Sequence, residues 1–399
     1  MTSGPIVLQV VPKLDAGGAE RTTLEMTRAI VAAGGKAFVA SHGGRLAADI
    51  EAAGGRNVQM PVHSKAPLQW WLNAGRLADL IRREKIDIVH ARSRAPAWSA
   101  LWAARRTGAA FVTTYHGAYR AKNALKRFYN SSMIRGDKVI ANSRFTAASI
   151  RAQYDLPEDR LVVIPRGADL QEFNPARVNE ARVARLVENW GLKPGNRSTG
   201  AGLRVLLPAR ISEWKGHRVA IEAVSLLRRA TKPGGASGLG GDLTLVFAGG
   251  AHGAGDFLTV LRAFVEQSGV LDMVHFVGDC ADMPAAYRWS DVVLAPSTRP
   301  EAFGRVAVEA GAMGKPVIAA DHGGAAETVI DGETGFLTAP GDAGALADAI
   351  LAVHALDEGG RARIGEQARA RVASLYSTRA MCDATLRVYE GLMTHRLQS

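Results

Sequence analysis

The chain has 399 residues, 47% hydrophobic and 22% charged, with a formal net charge of +11. This is the profile of an ordinary globular α/β protein, long enough for two domains of about 150–200 residues. The two cysteines, Cys280 and Cys382, exclude a disulfide scaffold and sit at no metal-binding spacing. No apolar run approaches the ~18 residues of a membrane span, and the N-terminal residues lack the pattern of a secretory signal, so a cytoplasmic location is expected.

The charge is uneven. Residues 1–199 carry 30 Lys/Arg and 16 Asp/Glu, residues 200–399 carry 19 and 22, and the stretch 65–138 alone holds 15 basic and 4 acidic side chains. A basic excess confined to one half suits an anionic partner there.

In chain order, Ile6–Val11 reads as a buried strand, 15–20 as a turn holding Gly17-Gly18, and Glu20–Ala33 as a helix. Strand patterns follow at Lys36–Ala40, Ile86–His90, Ala110–Tyr115, Lys138–Asn142 and Leu161–Pro165. Helical patterns lie between them at Trp70–Lys85, Trp98–Arg106 and from Ser143 or Arg144 to Gln153. Alternation at this spacing predicts a parallel sheet with helices on both faces. The Gly/Ser-rich stretch Lys193–Gly202 reads as a domain boundary, and Lys232–Gly241 as a surface loop. The pattern then restarts with strands at Arg204–Pro208, Leu243–Phe247, Val274–Val277, Val292–Ala295 and Pro316–Ala319, with a helix at Gly216–Arg229. The region Ala343–Ser399 is mostly helical, interrupted near Tyr376-Ser377. The expected organisation is a first domain over 1–195, a second over 196–376, and a terminal helix over 377–399.

The chemistry concentrates in Ser297-Thr-Arg-Pro-Glu301-Ala-Phe303-Gly304-Arg305-Val-Ala-Val-Glu309. A strand ends just before it and a helix starts inside it, so Glu301 lies in a loop and Glu309 on the first helical turns. Ligands of open parallel sheets bind at such strand ends, where backbone N–H groups of Phe303, Gly304 and Arg305 favour an anion and carboxylates grip hydroxyls. Arg210 and Lys215 follow the strand Arg204–Pro208 and form a candidate clamp for a diphosphate. Gly17 and Gly18 would allow a ligand close to the backbone. His116 ends a strand and is a candidate hydrogen-bonding group toward a sugar, a role His90 could share. Arg166 lies near the domain boundary, and Glu327 reads as a first-turn helix acid. The chain contains no GxGxxG, GxxxxGK[ST] or Asp-x-Asp motif and no His/Cys cluster, so a metal-free site is expected. The aromatics of the basic stretch, among them Trp70-Trp71, Trp98, Trp102, Tyr119 and Phe128, suit a lipid headgroup surface or an acidic acceptor, with nucleic acid the weaker alternative.

Taken together, Glu301-x7-Glu309 with Phe303-Gly304, the Arg210…Lys215-Gly216 loop, Gly17-Gly18-Ala-Glu20, Val163-Ile-Pro-Arg-Gly-Ala-Asp169, Phe276-Val-Gly278-Asp279 and Gly332-Glu-Thr-Gly-Phe336 resemble the retaining nucleotide-sugar glycosyltransferases of family 4. The resemblance spans nearly the whole chain. It implies the GT-B fold, two Rossmann-like doubly wound domains facing across a cleft with a C-terminal helix crossing back to the first. It implies that Glu309 holds the ribose, that Glu301 with the Phe303 and Gly304 amides contacts the donor sugar, and that Arg210 and Lys215 bind the diphosphate. Gly18 would approach the donor, His116 would touch the sugar near the reacting centre, and Gly278-Asp279 would flank the base. Ala302 stands where the family often has glycine, and Arg166 where asparagine is frequent. The implied reaction is transfer from a UDP- or GDP-linked sugar, without cofactor or metal, to a lipid-linked or cell-envelope saccharide such as lipopolysaccharide core. Peripheral contact with the inner membrane through the basic half is expected, and nucleic-acid binding is not. The alternatives are a GT-B epimerase or phosphorylase, or a non-catalytic binding protein.

Overall fold

A computed structural model describes residues 4–15, 17–117, 119, 123–192, 202–230 and 243–398. The stretches read as boundary (193–202) and surface loop (232–241) lie outside these residues except for Gly202, as do Arg120 and Lys122 of the basic segment. The chain divides into two compact units, Met1–Arg166 with Thr378–Ser399, and Gly167–Ser377.

The first unit contains β1 (Ile6–Val10), α1 (Gly18–Ala32), β2 (Lys36–Ser41), α2 (Ala47–Ala52), β3 (Arg56–Gln59), α3 (Pro67–Glu84), β4 (Ile88–Ala91), α4 (Arg94–Thr107), β5 (Ala110–Tyr115), α5 (Ala124–Ser131), β6 (Lys138–Ala141), α6 (Arg144–Arg151) and β7 (Leu161–Val163). The strands form one parallel sheet in the order β3-β2-β1-β4-β5-β6-β7. Successive strand residues face opposite sides. Leu8 and Val10 pack with Leu77, Leu80, Trp98 and Leu101 of α3 and α4. Val7, Ile88 and Val112 belong to the other face. Both faces are covered, which is why the strands read as unbroken apolar runs. Helix α4 begins four residues before the predicted Trp98. Pro96 lies in its first turn, where a missing N–H costs no helical hydrogen bond.

The second unit contains α7 (Glu180–Asn189), β8 (Leu203–Leu207), α8 (His217–Ala230), β9 (Leu243–Ala248), α9 (Gly255–Gln267), β10 (Val274–Gly278), α10 (Met283–Trp289), β11 (Val292–Ala295), α11 (Arg305–Ala312), β12 (Val317–Ala320), α12 (Ala325–Thr328), β13 (Phe336–Thr338), α13 (Ala343–Ala355) and α14 (Glu358–Leu375). Its parallel sheet runs β10-β9-β8-β11-β12-β13. Helices α8, α9 and α13 supply one apolar face through Ile221, Val224, Leu261 and Ile350. Tyr287, Trp289, Val308 and Val372 supply the other.

One boundary differs from the sequence reading. The division falls at Arg166/Gly167 rather than 195/196, because Phe173, Val183 and Leu186 bury themselves with Tyr287 and Trp289 of the second unit. Helix α15 (Thr378–Gln398) belongs to the first unit, as the resemblance implied, and there Met381, Cys382 and Tyr389 join Met26 and Ile30 of α1 over the sheet. The terminal helical region also breaks at Leu356-Asp357, where Asp357 caps α14 by accepting from the Gly360 N–H.

Candidate functional site

In the second sheet the chain moves outward from β8 to β9 on one side and to β11 on the other. The gap between β8 and β11 is a topological switch point, where open α/β sheets bind ligands at the carboxyl ends of strands. Lys215 comes from the loop after β8 and Glu301 from the loop after β11. They meet there, Lys215 Nζ to Glu301 Oε1 at 2.8 Å, with side chains only 18% and 16% exposed. The same oxygen accepts from Ser297 Oγ at 2.5 Å.

Two backbone arrangements bring these loops together. Gly216 has φ +81°, and a Cβ there would lie 2.0 Å from the Pro296 carbonyl oxygen. The β8 loop therefore rests directly on the end of β11, and the Thr298 N–H donates to the Trp214 carbonyl at 2.8 Å. Beneath Glu301, the turn 321–324 supports the loop. Gly324 N–H donates to the Glu301 carbonyl at 2.8 Å, and the His322 ring meets the Ser297 carbonyl at 2.7 Å.

Gly304 is the N-cap of α11 at φ +80°, and a Cβ there would stand 2.6 Å from the Ala325 Cα. Both conformation and room therefore demand glycine. Gly304→Ala is expected to destabilise the protein by about 2–3 kcal/mol, read as a lowered urea midpoint. A midpoint equal to the parent's would remove this constraint.

Glu309, on α11, is buried and paired on both oxygens. Arg305 Nε donates to Oε1 at 2.6 Å and Tyr287 OH to Oε2 at 2.8 Å. Burial and the Glu309 charge raise the Tyr287 pKa well above 10, so the phenol remains a donor. Arg305 thus orients a carboxylate, where the sequence reading used its backbone N–H. Arg210 is exposed at the end of β8 and has no ion-pair partner among the described residues. Phe303 is buried and packs edge-on against Tyr376 at 5.9 Å. Gly278 has φ +71°, and Asp279 beyond it accepts from the Gly250 N–H and the His252 ring, each at 2.9 Å. The hydrogen bond from His252 holds the Asp279 carboxyl below its ordinary pKa. Glu327 lies in the first turn of α12.

The first unit gathers a second group of the sequence-selected residues. Gly17 caps α1, and a Cβ on Gly18 would stand 2.4 Å from Arg166 Nη1, so the guanidinium lies over the start of that helix. Arg166 Nη2 also lies 2.6 Å from His116 Nδ1. A guanidinium only donates, so Nδ1 must be the unprotonated nitrogen of the ring and Nε2 must carry the proton. Nε2 is buried with no hydrogen-bond partner among the described residues. Burial, then the Arg166 and Arg92 charges, push the His116 pKa well below 6.5. His116 is therefore a neutral ring presenting one N–H donor.

His90 does not share that role. It is wholly buried, with Nδ1 2.6 Å from Tyr389 OH and Nε2 2.7 Å from Thr114 Oγ1, so both nitrogens are used inside the core.

The sequence reading gave no role to Tyr287, Ser297 or Arg92. Arg92 follows β4 at a strand end, as His116 follows β5, and that position was its one available signal. It is 2% exposed and donates twice to Gln9 Oε1, at 3.1 and 2.6 Å. Among the described residues no three His, Cys, Asp or Glu side chains converge as a metal site. No described helix is long and apolar enough to cross a membrane.

The histidines set a pH dependence of stability. Burial lowers His217 from its ordinary 6.5 to about 4, and lowers His90 and His116 well below 6.5. Below pH ~6.5 the unfolded chain takes up protons that the folded chain does not, so stability falls as pH drops from there. His217 alone contributes a loss of about 3 kcal/mol by pH 4. Urea midpoints measured between pH 7 and pH 5 are expected to decline steadily, and a flat profile would contradict the neutral burial of these rings.

Two Rossmann-like parallel-sheet units in one chain are the architecture of a GT-B protein. Two family models match the chain, "Glycosyltransferase Family 4" over residues 16–172 and "Glycosyl transferases group 1" over residues 194–371. The chain belongs to this family of glycosyltransferases.

A solved glycosyltransferase structure from Rickettsia africae superposes with a TM-score of 0.87 at 32% identity, covering 98% of this chain and 99% of that one. The Anabaena protein HepE, solved with UDP and glucose, shares the fold at a TM-score of 0.78 and 23% identity, covering 96% and 99%. The D-inositol 3-phosphate glycosyltransferase of Salinispora arenicola is 31% identical over 268 residues, 63% of this chain and 57% of that protein. Its counterpart in Xylanimonas cellulosilytica is 31% identical over 299 residues, 71% and 67%. The matches therefore span little more than half to two-thirds of these curated relatives.

Proposed function

We propose that this chain transfers a sugar, with retained anomeric configuration and without a metal ion, from a UDP- or GDP-linked donor to a lipid-linked or cell-envelope saccharide. The observation that carries the reading is the Lys215–Glu301 pair at the switch point of the second sheet, beside the start of α11. In this reading Arg210, Lys215 and the first N–H groups of α11 meet the diphosphate. Glu301 keeps acceptor capacity on Oε2 for donor sugar hydroxyls, and Glu309 takes the ribose hydroxyls on its remaining lone pairs. Gly278 and Asp279 flank the base.

The step breaks the bond between the anomeric carbon and the β-phosphate oxygen while the acceptor oxygen bonds to that carbon on the same face. The acceptor proton passes to the departing phosphate, so no protein base is required. Catalysis is then electrostatic stabilisation of the leaving diphosphate by groups already in place.

The acceptor assignment rests on the basic first half, which suits a substrate bearing an anionic group. The curated relatives are named for one such acceptor, D-inositol 3-phosphate. A thermal-shift series with UDP, GDP and their glucose and mannose conjugates tests the reading. A ligand bound only by the folded state raises the melting temperature by mass action. A shift with one base and not the other assigns the donor, and no shift with any of them at millimolar concentration would sink the proposal.

A further inference from the structure

Tyr376 is the last residue but one of the second unit, and the transfer chemistry gives it no role. It is 7% exposed. The chain passes between the units after Arg166 and after Ser377. Within the second unit the ends of these two passages are joined. Ala168 and Ser377 form a parallel bridge, and the Ala168 N–H donates to the Tyr376 carbonyl at 2.8 Å. The Tyr376 N–H donates in turn to the Val372 carbonyl of α14 at 2.9 Å. Its backbone is therefore held on both sides, and its ring is a fixed point.

That ring faces the loop after β11. It meets the buried Phe303 ring at 62° with centroids 5.9 Å apart, the edge-to-face arrangement that aromatic pairs favour. The Tyr376 hydroxyl donates to the Glu327 carbonyl at 2.9 Å. Arg371 lies over the ring, 5.7 Å from its centroid, and donates to the same carbonyl at 3.1 Å and to that of Thr328 at 3.2 Å. Those carbonyls lie at the end of α12. Its N-cap, Gly324, rests on the loop, since a Cβ there would stand 2.5 Å from the Phe303 Cα. Tyr376 thus supports the loop directly through Phe303 and indirectly through α12. Phe303 is the one large side chain of Ala302-Phe303-Gly304. Where its ring sits decides where the Phe303 and Gly304 N–H groups point.

The geometry points to Tyr376 as a positioning residue for sugar transfer. It touches no substrate, and its ring orients the Phe303 and Gly304 amides that meet the donor. The inference rests on the donor reading of those amides given above. Preset donors stabilise charge that develops in the transition state, and a misplacement of about 1 Å can cost about 10²-fold in rate. The ribose contact assigned to Glu309 is fixed separately, by Arg305 and Tyr287. A change at Tyr376 should therefore slow turnover and leave nucleotide binding in place.

The test compares Tyr376→Leu and Tyr376→Phe with the parent. Turnover is read as release of UDP or GDP from the glucose or mannose conjugate that the parent binds, with water as the acceptor, and nucleotide affinity is read by calorimetry. Tyr376→Leu is expected to lower kcat about 30–100-fold while the nucleotide Kd changes by less than about threefold. Tyr376→Phe keeps the ring, and the Glu327 carbonyl retains its Arg371 donor, so its kcat should stay within about threefold of the parent's. Phe303→Leu removes the other ring of the pair and guards against poor folding of the first variant. The double variant Phe303→Leu/Tyr376→Leu should be no worse than the more damaging single one. Hydrogen exchange over residues 298–305 without nucleotide gives a reading independent of the donor. Exchange there should be about tenfold faster in Tyr376→Leu and parent-like in Tyr376→Phe.

A parent-like kcat in Tyr376→Leu overturns the proposal. So does a loss shared equally by kcat and nucleotide affinity, which would mark Tyr376 as a core residue and nothing more. Parent-like exchange of the loop in Tyr376→Leu overturns it as well. A parent that binds no nucleotide would count against the donor reading, and the exchange comparison would still decide the role of Tyr376.

Discussion

Lys215→Ala is expected to lower kcat by about 10²–10³ in a folded protein, the usual cost of removing one preset contact to developing charge. The structure adds a second effect. Glu301 is 16% exposed and has Lys215 as its only cationic partner among the described residues. Removing the lysine leaves a poorly solvated carboxylate beside the site of the diphosphate, where it repels the donor. Glu301→Gln removes that charge while keeping the Ser297 hydrogen bond possible. The double variant Lys215→Ala/Glu301→Gln should therefore be little worse than Lys215→Ala alone, because groups acting as one unit give strongly non-additive losses. Steady-state kinetics on the two single variants and the double, with circular dichroism as the folding control, measure this. Full activity in Lys215→Ala sinks the assignment, and simple multiplication of the two losses would show that the residues act independently.

The second large effect concerns Glu309. Glu309→Ala removes the group placed at the ribose, and nucleotide affinity in calorimetry should fall by about 10–100-fold, the equivalent of about 1.4–2.8 kcal/mol. Stability should fall as well, by about 1–3 kcal/mol, because the wholly buried Tyr287 hydroxyl loses its acceptor. Tyr287→Phe separates the two consequences. It deletes the buried donor and leaves the carboxylate held by Arg305, so nucleotide affinity should change by less than about threefold. If Tyr287→Phe weakens nucleotide binding as much as Glu309→Ala, the phenol and not the carboxylate meets the ligand. If neither variant changes it, the ribose is held elsewhere.

The fold was largely legible because buried parallel strands read as apolar runs, as in Ala110–Tyr115 and Val292–Ala295. Strand β3 escaped because Arg56-Asn57-Val58-Gln59 is a polar edge strand with a single apolar residue. The unit division escaped because the Gly/Ser-rich composition near residue 200 is a stronger local signal than the short passage at Arg166/Gly167. Only tertiary packing of Phe173, Val183 and Leu186 reveals where that passage belongs.

Sequence position also selected the loops at the strand ends, and Lys215, Glu301, His116 and Arg166 all came from them. It does not say which charges neutralise one another. Lys215 and Glu301 come from different loops, and their pairing follows from Gly216 lying against Pro296. The protonated nitrogen of His116 likewise follows from Arg166, which comes from a separate loop.

The placement of α15 has a consequence for biosynthesis. The first sheet is translated before residue 166, yet part of its apolar cover and the hydroxyl that satisfies His90 Nδ1 come from Met381, Cys382 and Tyr389. That helix is translated only after the second unit. The nascent first half must therefore wait through translation of the whole second unit with one sheet face incompletely covered. The second unit, by contrast, is continuous in sequence and can close as it emerges. Vectorial synthesis thus favours the order second unit, then first, and leaves α15 to complete a sheet that was translated well before it.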